Sequence, residues 1–156
     1  MNFKKLTAIS AAAFAILVIA AFFLTSQAAP TVKGQITWVP NTYTWDNPPP
    51  NPWIARIGLN LGHKAVTEIN QTTLLLAGLY TPIGPGVNYG NGTKLFVPFS
   101  GNDVKAAIGD QLPLHMGILT PGTYWVVLTI TGNLYSGLPF TATGPIQVTI
   151  DLPPPP

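Results

Sequence analysis

Leu119-Thr-Pro-Gly-Thr-Tyr-Trp-Val-Val-Leu-Thr-Ile-Thr-Gly132, followed by Asn133-Leu-Tyr-Ser-Gly137 and then Pro139 to Ile150, decides the fold class. Two alternating runs rich in β-branched and aromatic residues are joined by a segment of turn formers. In the first, Tyr124, Val126, Leu128 and Ile130 share one parity, and Trp125, Val127, Thr129 and Thr131 the other. In the second, Ile146, Val148 and Ile150 alternate with Gln147, Thr149 and Asp151. Side chains of a strand point to opposite faces with period two, so the segment predicts an antiparallel hairpin with one buried face.

Its entry carries a second signal. Leu119-Thr-Pro-Gly-Thr-Tyr124 resembles the tyrosine corner that opens strand F of fibronectin-III and immunoglobulin-like sandwiches. There the tyrosine hydroxyl hydrogen-bonds back to the preceding backbone. Pro121-Gly122 suits the tight turn this needs, because proline presets φ and glycine accepts positive φ.

Upstream, proline and glycine leave little room for long helices. Val32 to Val39 reads as a first strand with Val32, Ile36 and Trp38 on one face. Pro40 to Pro52 reads as a loop ending in a short polyproline-like segment. Trp53 to Leu61 puts Trp53, Ala55, Ile57, Leu59 and Leu61 on one face, and the apolar Thr72 to Tyr80 reads as a strand covered on both sides. Thr81 to Gly92 is a turn region with the hairpin dipeptide Asn91-Gly92, and Lys94 to Phe99 sends Leu95, Val97 and Phe99 inward. Asn102 to Ile108 is the one candidate helical turn, capped by Asn102 or Asp103. Leu112, Leu114, Met116 and Ile118 alternate once more. The expectation is a single all-β domain over 29–152, a two-sheet antiparallel sandwich of about seven or eight strands. Residues 153–156 form a proline tail. No internal repeat suggests a solenoid or a propeller.

The N-terminus reads as an export signal. Lys4 and Lys5 precede a run of low polarity from Leu6 to Leu24, and Ser26-Gln-Ala28 supplies small residues where signal peptidase requires them. The expectation is a signal peptide over 1–28 and a secreted, extracellular or cell-surface location. The run exceeds the usual roughly 7–15 residues and approaches the roughly 20 that cross a bilayer, so an uncleaved anchor helix is the alternative, and membrane contact is expected only in that case. The chain has seven basic and five acidic residues. Loss of the leader removes Lys4 and Lys5, leaving Lys33, Arg56, Lys64, Lys94 and Lys105 balanced by Asp46, Glu68, Asp103, Asp110 and Asp151. No basic footprint for nucleic acid remains. Cysteine is absent, so the domain relies on its core rather than on disulfides, which favours a prokaryotic surface setting.

Glu68-Ile-Asn-Gln-Thr-Thr-Leu-Leu-Leu-Ala-Gly78, Lys94-Leu-Phe-Val-Pro-Phe99 with Val104 to Ile108 after it, Val127 to Gly137, Phe140 and Ile146-Gln-Val148 recur in that order in another setting. The pattern looks like an immunoglobulin-like module of secreted and cell-surface bacterial and archaeal proteins, often appended to larger extracellular or dockerin-bearing chains. It covers about residues 53–150 and is a pattern of spacing. The resemblance implies a sandwich with no catalytic residues. Asn88-Tyr-Gly-Asn-Gly92 stands where such modules often carry an acidic calcium-loop-like insert, which argues against a metal.

Chemistry finds few groups. His63 and His115 lack the paired spacing of a zinc site, and no Gly-x-Ser-x-Gly nucleophile turn occurs. Asp103 and Asp110 supply too few oxygens for the six to eight that calcium takes. No catalytic residue, metal or cofactor is therefore expected, and the protein reads as a non-enzyme. Trp38, Tyr43, Trp45 and Trp53 cluster among prolines. Parity assigns Trp38 and Trp53 to the core and leaves Tyr43 and Trp45 as an exposed loop pair, a candidate platform for a sugar's CH face. Its alternative is a satellite cluster packed under Pro48 to Pro52. Asn70-Gln-Thr72 and Asn91-Gly-Thr93 are glycosylation sequons. The function expected is a structural or adhesive module acting by sheet-edge or face contacts with a protein partner or with itself, with Ala29 to Val39 a candidate donor strand. Carbohydrate binding through Tyr43 and Trp45 is the alternative.

Overall fold

Strand β9 (Gly122–Leu134) and strand β10 (Pro139–Ile150) form the expected hairpin, in register from Gly122 opposite Ile150 to Asn133 opposite Pro139. The computed structural model describes residues 31–60, 66–115 and 118–151. The signal or anchor segment over 1–28, Leu61, His63, Met116 and the tail over 153–156 lie outside the described residues. In the hairpin, Val126, Leu128, Ile130 and Leu134 of β9 and Phe140, Ala142, Ile146, Val148 and Ile150 of β10 are buried, while Trp125 and Val127 face out. The alternation therefore assigned the inner face correctly. Gly137, at φ +84°, closes the turn with its N–H on the carbonyl of Leu134.

The other edge of β10 holds two strands in succession. Val32–Gln35 of β1 (Val32–Val39) runs parallel to Phe140–Thr143, and β2 (Thr42–Thr44) runs parallel to Gln147–Thr149. Gly144 and Pro145 lie where β10 changes partner. A side chain at Gly144 would strike the carbonyl of Ile36, so only glycine lets the two backbones approach. Gln147 donates its N–H to Asn41 and Thr149 accepts from Trp45, so the amides of alternate residues face β2. By the same parity Pro145 turns its missing N–H into the gap between β1 and β2, where no ladder bond is lost.

Strand β1 then pairs antiparallel with β3 (Trp53–Leu59), β3 with β6 (Lys94–Phe99), and β6 with β5 (Val87–Tyr89). Beyond β9 lies β4 (Ile69–Leu76). The bonded path is β4-β9-β10-β1-β3-β6-β5, with β2 beside β10. The fold is all-β, as expected. In place of two separate antiparallel sheets, the pairing gives one mixed sheet made continuous by β1, which bonds to both β10 and β3. Of the candidate donor strand Ala29 to Val39, the described part is β1, which is not free: it pairs with β10 at Val32–Gln35 and with β3 at Gly34–Val39.

A sheet with one apolar face and almost no helix to cover it must curl and cover itself. Trp38 of β1 meets Phe99 of β6 with ring centroids 6.3 Å apart, and Gln71 of β4 accepts the N–H of Gly86 beside β5 at 2.7 Å. The inward residues form one core that holds no buried polar or charged residue among the described residues. Helix α1 (Gly101–Gly109) closes one end with Val104, Ala107 and Ile108 buried. Its N-cap is Ser100, earlier than the expected Asn102 or Asp103.

Three further expectations are corrected. The loop between β1 and β3 contains β2, which Trp53 pins through Tyr43. Strand β4 is covered on one face only, with Ile69, Leu74 and Leu76 buried and a bulge between Asn70 and Leu75. The segment after α1 is no long alternating strand: β7 (Leu114–His115) and β8 (Ile118–Leu119) form a small hairpin apart from the main sheet, with Leu114 exposed.

Candidate functional site: an open sheet edge

The path of β4 decides what β9 exposes. After Leu76 the chain enters Ala77 at φ +51° and Gly78 at φ +73°, and Leu79 donates its N–H back to Leu76 at 3.0 Å. Two successive left-handed residues make the tight reversal typical of a type I′ turn. It carries the chain back onto itself, so that Tyr80 bridges to Leu76. The last bond from this side to β9 is the N–H of Ala77 on the carbonyl of Thr129, 2.8 Å. From Gly122 to Leu128, β9 has β10 on one edge and, among the described residues, no strand on the other.

Parity identifies the groups left bare. Thr129 and Thr131 turn their backbone groups toward β4. Residues two apart in a strand direct their amides to the same side, so Val127, Trp125 and Thr123 present N–H and C=O to the open edge. Trp125 and Val127 also stand 64% and 50% exposed on the adjoining face. That face carries no charge within β9, nor within β10 from Pro139 to Ile150.

The contrast with β5 is instructive. That terminal strand is three residues long, lies just past Pro85 and ends beside Lys94. Short length, proline and lysine are the devices that keep an edge from pairing with another chain. The outer surface there is stiffened instead, with the Arg56 guanidinium 5.1 Å above the Phe96 ring and Tyr89 4.8 Å from that ring's centre. Strand β9 is thirteen residues long and carries neither proline nor lysine, its nearest proline being Pro121 just before it.

Tyr124 stands at the start of this edge. Its hydroxyl donates to the carbonyl of Thr120 at 3.0 Å, and the Pro121 carbonyl lies 3.4 Å away. Gly122, at φ +148°, lets the ring fold back, since an added Cβ would meet the hydroxyl at 3.1 Å. The bond the sequence anticipated is present, but it is open to solvent. Tyr124→Phe should therefore cost about 0.5–1.5 kcal/mol, below the cost of orphaning a buried group. Urea unfolding checks it, and a loss above that range would mean that the hydroxyl is shielded.

The loop aromatics behave differently from the exposed pair expected. Tyr43 is buried, 7% exposed, because β2 turns it into the core, and its hydroxyl donates to Asn47 at 2.6 Å. Trp45 is half-buried and packs against α1. Its ring lies next to Gly109, and the Lys105 ammonium sits 4.9 Å from the ring centre while donating to the Trp45 carbonyl at 2.8 Å. The two rings meet edge-on at 68°, so they form no flat platform.

Of the sequon asparagines, Asn70 is half-buried in the β4 bulge, its Oδ1 accepting from the Thr72 hydroxyl at 2.7 Å. Asn91 is exposed in a left-handed turn at φ +54°. Among the described residues no group of three or more His, Cys, Asp or Glu is placed to hold a metal, and no helix is long and apolar enough to cross a membrane. No protein-family model, curated protein or solved structure matches the chain.

Proposed function

We propose that the protein is an exported, non-catalytic immunoglobulin-like module that serves a structural or adhesive role at the cell surface or outside the cell, docking protein partners along the open edge of β9. The observation that carries the reading is that edge: three consecutive outward-facing peptide groups beside exposed Trp125 and Val127, with no protective charge or proline within the strand. Peptide groups at a bare edge bond any extended strand, and neighbouring side chains select which one.

The immunoglobulin-like assignment draws support from strand order. Divided at the β1–β10 pair, the sheet reads β4-β9-β10 on one side and β1-β3-β6-β5 on the other. These follow the C-F-G and A-B-E-D orders of immunoglobulin sheets, and Tyr124 opens the strand that corresponds to F. Export draws its support from Lys4, Lys5 and the run from Leu6 to Leu24.

A photo-crosslinking amino acid placed at Trp125 tests the docking reading on intact host cells. Irradiation should produce a protein adduct, while the same group at exposed Asn102 on α1 should not. Absence of an adduct at 125, or equal adducts at both sites, would count against the edge as a docking surface.

A further inference from the structure

Accepting that the β9 edge docks a strand, we infer that its occupant is the same edge of a second copy, paired antiparallel about a two-fold axis through Trp125. The free segment is symmetric about that residue. Pro121, which has no N–H, bounds it four positions before Trp125, and Thr129, whose carbonyl is already taken by Ala77, bounds it four positions after. Between these limits the outward-facing residues are Thr123, Trp125 and Val127. A two-fold axis sets Trp125 opposite Trp125 of the second copy, and Thr123 opposite Val127 in both directions. Residues facing each other in this way exchange both backbone bonds, so the three pairs close about six hydrogen bonds and leave none of the free groups unmatched. An interface of this kind uses the same patch on both subunits, which a segment with this symmetry satisfies.

Charge supports the same occupant. Neither strand of the hairpin carries an ionised side chain between Gly122 and Ile150, so two copies approach without repulsion. On the outward face, Trp125 meets Trp125 and Val127 meets Thr123 of the second copy, and cross-strand aromatic and β-branched pairs are favourable contacts. The chain's own C-terminal Pro153 to Pro156 is a poor rival, since consecutive prolines have no N–H to donate to a ladder.

Sedimentation velocity of the full chain, purified as its host processes it, tests the pairing across a concentration series. The wild type should sediment as a dimer, and W125K and W125E should each sediment as a monomer that still melts cooperatively, because Trp125 is exposed and only the stabilisation from dimerisation is lost. Mixing W125K with W125E should restore a dimer of one copy of each, since position 125 faces itself. A second set keeps the test decisive if either variant folds poorly: T123K/V127K places Lys opposite Lys and T123E/V127E places Glu opposite Glu across the axis, so each should be monomeric alone and the two dimeric when mixed. A monomeric wild type, a dimeric W125K, or mixtures that stay monomeric would overturn the inference. The adduct formed at position 125 on cells separates this inference from the docking reading. An adduct with the mass of two chains supports self-pairing. An adduct of any other mass leaves the docking reading standing and removes the second copy as the occupant.

Discussion

Replacing Gly144 with alanine should destabilise the protein by about 3–5 kcal/mol, most of the stability of a marginal domain of about 5 kcal/mol. The added methyl falls on the backbone carbonyl of Ile36 and also lies 2.8 Å from the Ile36 Cβ. A flexible side chain can rotate away from such a clash, but two paired backbones cannot. Relief requires β10 to move off β1. That motion breaks the indole bond from Trp38 to the Gly144 carbonyl, 3.2 Å, and disturbs the register of the hairpin. Gly58→Ala is the control. Its Cβ would meet nothing nearer than the Thr93 carbonyl at 3.9 Å, so it should change stability by less than about 0.5 kcal/mol. Denaturant midpoints of the two variants decide the matter, and similar midpoints would refute the close-approach role of Gly144.

Trp53→Ala should cost about 3–5 kcal/mol through the cavity it leaves, with a further contribution from a lost polar partner. Trp53 is fully buried, its indole N–H donates to the Pro40 carbonyl at 2.7 Å, and its ring meets Tyr43 edge-on at 5.2 Å. The variant thus removes both the packing and the tether that hold the segment from Pro40 to Thr44. Hydrogen exchange should show where the loss falls. The Gln147 amide, bonded to Asn41, and the Trp45 amide, bonded to Thr149, should lose protection ahead of the β9–β10 ladder. Uniform loss across the hairpin would mean that Trp53 supports the whole core rather than β2.

These residues also show how much the sequence told. Alternation located β1, β3, β6, β9 and β10, because each presents one face to a dry core and the other to water. It placed Trp38, Trp53, Leu128 and Phe99 inside for the same reason. Alternation is silent on partners. Nothing in Val32–Val39 says that it lies parallel to the last strand, so the mixed sheet emerges only from the three-dimensional pairing. Tyr43 was misread because the surrounding prolines suggested a loop, although Thr42-Tyr43-Thr44 is itself a polar-apolar-polar alternation of three residues. In β4 the run Leu74-Leu75-Leu76 hid the one-sided burial, and the bulge shifted the parity that would have revealed it. The open edge was illegible for a related reason. It depends on where β4 stops, which is set by left-handed Ala77, a residue whose sequence gives no sign of that conformation.

A ribosome delivers β1 first and β10 last. Until Pro139–Ile150 has emerged, β1 has a neighbour on one side only, β2 has none, and β9 has both edges bare over its first half. The indole bond from Trp38 to Gly144 joins residues 106 positions apart, and contacts that distant in sequence make folding slow. The nascent chain therefore stays open for nearly the whole of synthesis, and the final strand turns a set of unfinished pairings into a closed core. A chain cut before Pro139 keeps the β1-β3-β6-β5 and β4-β9 pairings but loses the strand that joins them, so the apolar faces that β10 brings together would stand uncovered.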